Sequence, residues 1–238
     1  MEIPNPQSKQ SIYFNISYII ANEWPSNPME RLDFQKLLAQ NQLDFPQSRA
    51  GLRDFTLVRT EPSHLLVKVA SLGPRVSNLS LSSERPAHTL DFFVKEADTV
   101  CSSFHEIWLK KPTQIIQCGA TIRHLYSCEE HAFKYLWEHR LDQDPQDFSF
   151  LGKRPVLGGG LRLIMPPIKE PDPIQIEIKI ESFFQESKKI FIETVFVWPQ
   201  PRLLPKNDKF DPANRLTKVE KYATSKVWEF LTKPTIQE

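Results

Sequence analysis

The chain has 238 residues, 40% of them apolar and 25% charged, with 30 Lys and Arg set against 29 Asp and Glu. That balance argues against a strongly basic nucleic-acid binder and against an acidic solvating tail. At roughly 150 residues per domain, the length fits one or two domains. Twenty prolines stand against seven glycines, and Gly158, Gly159 and Gly160 are consecutive, so little glycine remains for nucleotide loops. No apolar run approaches the roughly 18 residues needed to cross a bilayer, and the polar residues 1–10 do not resemble a signal or transit peptide. Cys101, Cys118 and Cys128 are odd in number and form no CxxC pair, which fits reduced thiols and a cytoplasmic setting.

The first periodic segment spans 12–20, where Ile12, Phe14, Ile16, Tyr18 and Ile20 alternate with Tyr13, Asn15 and Ser17, the period of a half-buried strand. Asn27-Pro28 reads as an N-cap with proline at the first helical position, opening a short helix to about Gln40. Short strands are expected over 55–60, 65–70 and 76–81, parted by Glu61-Pro62-Ser63 and Gly73-Pro74. Leu90, Phe93, Val94, Ala97, Val100, Cys101, Phe104 and Trp108 then recur at three- and four-residue spacing along one long helix. It stops near Lys110-Lys111-Pro112, where lysines complement the helix dipole and proline cannot continue the ladder.

The order then starts again. Residues 113–126 form a strand with Ile116, Cys118, Ala120 and Ile122 on one face. Ser127-Cys128-Glu129-Glu130 reads as a capping box opening a helix to about Arg140. Strands follow over 160–165, 174–180 and 190–197, and Asp211-Pro212 opens a second long helix carrying Leu216, Val219, Ala223, Val227 and Phe230. Two α+β units, 1–112 and 113–238, are therefore expected within one pseudo-duplicated domain, a repeat that rests on element order.

Alternating strands joined by short turns belong to antiparallel sheets, and each long helix carries a stripe suited to lying on one sheet face. Two such halves could meet edge to edge as one curved sheet. The order resembles the duplicated fold of TATA-box-binding protein and, more loosely, the helix-grip folds. Ile180-Glu181-Ser182-Phe183-Phe184, with Phe191-Ile192-Glu193 and Trp198, is similar to the C-terminal strand pair of a sporadically distributed, uncharacterised bacterial family of about this length. The resemblance places Cys118-Gly119-Ala120-Thr121-Ile122-Arg123 on a strand of that family that carries a Gly and an Arg. It assigns no catalytic residues.

The densest polar cluster is His124, Cys128, Glu129, Glu130, His131 and His139. His131 and His139 are eight apart, roughly 80° from sharing a helix face, and no metal site is expected. Cys101 and Cys118 fall on apolar faces and read as buried, leaving Cys128, at an expected helix N-terminus that would lower its pKa, as the thiol for an enzymatic reading with His131 and His124. Lys153 and Arg154 before Gly158, Gly159 and Gly160 could hold an anion. The glycines precede a strand rather than a helix, however, which favours a bulge or a close backbone approach. The outward residues of the best strand, Gln175, Glu177, Lys179 and Glu181, carry a net negative charge and do not favour nucleic acid.

The strand over 190–197 is apolar on both sides, with Ile190, Ile192 and Phe196 on one and Phe191, Val195 and Val197 on the other, so something covers both. The expectation is a non-enzymatic, cofactor-free binding or assembly protein. It would self-associate or bind a protein partner through Phe183, Phe184, Phe191, Val195 and Trp198. The alternative is a helix-grip binder of an apolar small molecule in a cavity lined by Phe93, Phe104, Val227 and Phe230.

Overall fold

In the computed structural model, residues 4–23, 27–109, 111–152, 154–204 and 210–233 are described. The alternating segment forms β1 (Gln10–Ile20), and the Asn27 side chain accepts from the Met29 amide to cap α1 (Pro28–Gln40). Four strands follow, β2 (Gln47–Ala50), β3 (Asp54–Arg59), β4 (Leu65–Gly73) and β5 (Val76–Glu84), then α2 (Leu90–Trp108). Lys110, placed by sequence at the end of this helix, lies outside the described residues. The second half runs β6 (Thr113–Ser127), α3 (Ala132–Lys134) continuing as a π-helical turn Tyr135–Arg140, β7 (Gly160–Met165), β8 (Gln175–Ser182), β9 (Lys189–Trp198) and β10 (Arg202–Leu204). It ends in α4 (Pro212–Tyr222), which passes through a π-helical turn, Ala223–Val227, into α5 (Trp228–Thr232).

These strands make one ten-stranded antiparallel sheet in the order β2-β3-β4-β5-β1-β6-β9-β8-β7, with β10 beside the start of β6. The two halves meet where β1 pairs with β6, Phe14 opposite Ile122 and Ile16 opposite Ala120. The chain is thus an α+β fold on an antiparallel sheet.

Alternation decides which side each residue serves. Phe14, Ile16, Tyr18 and Ile20 of β1 share a core with Leu79 and Leu81 of β5, Ala120 and Ile122 of β6, and Phe196 of β9. Phe34 and Leu38 of α1, Phe93, Ala97, Val100 and Phe104 of α2, and Leu216 and Val219 of α4 belong to the same cluster. Phe14 and Phe93 rings lie 5.5 Å apart, and Phe196 and Tyr222 rings 5.3 Å apart. A second cluster joins Tyr126, Ala132, Leu136, Ile178, Ile180, Ile190 and Ile192 to Val227 and Leu231.

Several local expectations are corrected. The capping box does not form, because Ser127 is still in β6, where its amide accepts no helical role and donates instead to the Ser8 hydroxyl. The helix opens at Ala132, four residues after Cys128, with His131 as N-cap. Ile115, not Ile116, is buried, because the β1–β6 register shifts between Ile19 and Ile20 and turns the next side chain inward. Strands β2 and β10 lack apolar alternation and were invisible to it.

Charged pairs tie the helices to the sheet. Arg59 of β3 bonds to Glu96 of α2 within the core. His124 of β6 is 1% exposed, with Nδ1 3.1 Å from the Ser11 hydroxyl and Nε2 2.8 Å from Oε2 of Glu220 on α4. Lys9 bonds to the other Glu220 oxygen. Burial pushes the Glu220 carboxyl up, but the hydrogen bonds and charges of His124 and Lys9 outweigh it and hold the group at about 2 against an ordinary 4.5. A depressed carboxylate pKa contributes stability that is complete above the unfolded value and is lost as pH falls through the folded one. Glu220→Gln is therefore expected to cost about 2–3 kcal/mol at neutral pH. The deficit relative to wild type should shrink between about pH 4.5 and 2. Urea melts across that range check this, and a deficit that stays constant with pH would contradict it.

Candidate binding face

The face opposite the core is laid out in rows, because antiparallel register sets outward residues side by side across strands. One row crosses six strands: Glu84, Tyr13, Arg123, Glu193, Lys179 and Arg162. The Arg123 guanidinium stands 4.4 Å from the Tyr13 ring centroid and bonds through Nε to Glu193 Oε2 at 2.5 Å. Lys179 Nζ reaches the other Glu193 oxygen at 2.8 Å, and Arg162 Nε reaches Glu177 at 2.8 Å. Glu193 is only 5% exposed. Burial raises its carboxyl pKa, but Lys179 and Arg123 more than compensate and leave it below the ordinary range.

The next row is Ser82, Asn15, Thr121, Val195, Glu177 and Ile164, and beyond it lie Ser80, Ser17, Gly119, Val197 and Gln175. On the other side of the charged row, Leu125, Phe191 and Glu181 stand in line. Here a groove of about 720 Å³ opens, with Tyr13, Arg123, Leu125 and Phe191 as floor. Phe183 and Lys189 from the β8–β9 hairpin and Arg85 beyond β5 form its rim. The hairpin is held by backbone bonds from Phe183 to Lys189, Glu186 to Phe183 and Lys189 to Glu186. It projects Phe184, which is 87% exposed.

Four of the five expected interface residues therefore lie on or beside this face: Phe183, Phe184, Phe191 and Val195. Trp198 does not. Three residues beyond Val195, it falls on the opposite parity, is 3% exposed, and packs in the core 5.7 Å from the Phe196 ring with Arg215 over it. The basic side chains Lys68, Arg85, Arg123, Arg162, Lys179 and Lys189 are matched by Asp54, Glu84, Glu177, Glu181, Glu186 and Glu193, a balance that gives a phosphate backbone no net attraction.

Of the expected anion site, Lys153 lies outside the described residues. Arg154 lines an aromatic cleft of about 580 Å³ with Phe133, Trp137 and Phe148, whereas Gly158, Gly159 and Gly160 border another cleft with Glu181 and Phe184. Gly160 has a packing reason: a Cβ there would stand 2.1 Å from the Ile180 carbonyl oxygen. His124 is committed to Ser11 and Glu220, His131 lines the aromatic cleft, and Cys128 is buried. Burial, and the nearby Glu130 charge, push the Cys128 thiol up to about 12, the reverse of the lowered pKa expected at a helix start. Among the described residues no cluster of three or more His, Cys, Asp or Glu could hold a metal ion, and no helix is long and apolar enough to cross a membrane. Phe93 and Phe104 belong to the main core, while Val227 and Phe230 belong with the second cluster, Phe230 beneath the Arg140 guanidinium. The four are thus divided between the two core clusters, two in each.

Comparison with known proteins yields no relative: no family model, no curated protein and no solved structure matches the chain.

Sequence reasoning overlooked Arg123, Glu193 and Glu177 as members of one ladder. A charged residue inside an otherwise apolar strand, such as Glu193 between Ile192 and Val195, was the available signal; its partners are set by register. Glu193→Gln is expected to cost about 1–2 kcal/mol, less than a fully buried pair, because Arg123 and Lys179 can turn to water. Gly160→Ala should cost about 1–3 kcal/mol by crowding the β8 backbone. It should speed amide exchange in β7 and leave β1 unchanged, and uniform exchange across the sheet would contradict that assignment.

Proposed function

We propose that the protein is a non-enzymatic assembly protein that self-associates through the outer face of β6, β9 and β8, with Phe191, Val195 and the hairpin residues Phe183 and Phe184 at the contact. The supporting observation is the way that face handles its charges. Arg123, Lys179 and Arg162 are already paired with Glu193 and Glu177, so a protein surface could cover them without stranding a buried ion. Between them stand Phe191, Val195 and Val197, which are half-buried.

A second copy is the favoured occupant, because the charged row is self-complementary. A two-fold axis along the strands would set Glu84 against Arg162 and Arg123 against Glu193, with Tyr13 against Lys179. The two halves repeat one order of connections about the β1–β6 pair, which supports reading them as a tandem duplication of an α+β unit. A setting inside the cytoplasm fits the three free cysteines.

Wild-type protein is expected to be a dimer by light scattering, and Phe191→Asp or Val195→Asp to convert it to a folded monomer. A wild-type monomer at micromolar concentration would overturn self-association.

A further inference from the structure

Ala132 of α3 and Leu136 of its π-helical turn join the core over Ile178 and Ile180. Phe133 and Trp137, each one residue further on, belong to neither core cluster. They gather instead with Phe148 of a 3-10 helix, Pro145–Leu151. The Phe133 and Trp137 rings are stacked with centroids 6.0 Å apart, and Phe148 stands 5.6 Å from the first and 4.7 Å from the second. Gly159 makes room for this trio, because a Cβ there would stand 3.0 Å from Phe133 Cε2. The glycine run before β7 therefore shapes the aromatic group as well as the strand.

The three rings line the cleft of about 580 Å³, which shares no residue with the groove on the outer face. Its volume lies within the roughly 300–1,000 Å³ usual for small-molecule sites. Leu157, also in the lining, is 62% exposed, so the cleft leaves apolar surface in water that a ligand would cover. Trp137 Nε1 is buried, so the cleft offers the indole ring and not its N–H. Four titratable side chains line it: His131, Lys134, Glu138 and Arg154. Among the described residues Lys134, Glu138 and Arg154 make no ion pair. With His131 neutral, two positive charges stand against one negative, and protonating His131 only adds to the positive side.

We propose that this cleft binds an aromatic monocarboxylate. Its ring packs on Trp137 and Phe148, and its carboxylate stays at the wet rim, where it pairs with Arg154 and Lys134. An aromatic amine would find Glu138 alone against two cations. An aliphatic acid of the same charge would lose the ring-to-ring contacts that the aromatic trio offers.

Calorimetry on the full chain compares indoleacetate with tryptamine, which has the same ring and the opposite charge, and with octanoate, which has the same charge and no ring. Indoleacetate should bind at least about fivefold more tightly than either. Arg154→Gln and Lys134→Gln change exposed side chains. Each should leave Tm unaltered and weaken indoleacetate about threefold without weakening tryptamine. Trp137→Leu should weaken both ring compounds about fivefold, and the two Gln variants carry the test if it fails to fold. No binding of indoleacetate, equal affinity for either control, or unaltered affinity in both Gln variants or in a folded Trp137→Leu would overturn the proposal.

Discussion

The antiparallel pairing of β1 with β6 is the constraint on which the rest of the molecule depends. It is the only strand pairing that joins the first half to the second among the described residues, and it sets the parity of every strand outward from the centre. Even-numbered residues of β1 from Phe14 and of β6 from Cys118 point into the core, so Phe14 meets Phe93 and Ile122 joins the α4 side chains, while Tyr13 and Arg123 meet on the other face. A slip of one residue would expose the first set and bury the second. Two irregularities frame the ladder, one between Ser11 and Tyr13 and one between Ile19 and Ile20. The first lies beside the Ser11–His124 contact, which connects the central strands to Glu220 of α4.

Apolar burial alone would allow the helices to slide over the sheet; the polar pairs fix where they stop. Arg59–Glu96 holds α2, His124–Glu220 holds α4, and Arg215–Asp172 ties the first turn of α4 to the proline-bounded loop before β8. Such pairs contribute less net stability than their contact distances suggest, because each ion must give up water. Their effect is positional. Arg215 shows the consequence: the same bond that anchors α4 sets its guanidinium above Trp198, at the mouth of the inner cavity.

The two faces of the sheet thus present different chemistry. The outer face neutralises its own charges in ladders and leaves aliphatic and aromatic side chains between them, an arrangement suited to contact with another protein surface. On the inner side, Tyr18 and Trp198 are buried in the core beside a small cavity of about 150 Å³ lined also by Arg202, Arg215 and Asp172. Cys118 lines the inner cavity, and Cys101 and Cys128 border neither it nor the outer groove. Cys101, Cys118 and Cys128 are all buried, and desolvation raises each thiol away from its reactive form.

Much of this was legible in the sequence by itself. The period-two runs located β1, β6 and β8, a continuous apolar run located β9, the i, i+3, i+4 stripe located α2, and Asn27-Pro28 and Asp211-Pro212 marked helix starts, because these signals depend only on local geometry and on which side of an element must be dry. The run Gly158–Gly160 reads as a bulge or a close backbone approach, and at Gly160 the neighbouring strand leaves no room for a Cβ. The sequence also showed that 190–197 is apolar on both sides. Strand parity already set Trp198 with Ile190, Ile192 and Phe196 rather than with Val195; only the docking of the helices decided which of those two sides is the core. The sequence could not show that Ser127 prolongs a strand, since a capping-box pattern is satisfied only if the chain is free to turn, and pairing with β9 holds Ser127 opposite Lys189. His124 and Glu220, 96 residues apart, and Arg123 and Glu193, 70 apart, became partners only when α4 docked and β6 paired with β9. Local periodicity decided what each element is; the β1–β6 register and the docking of α4 decided which side chains meet.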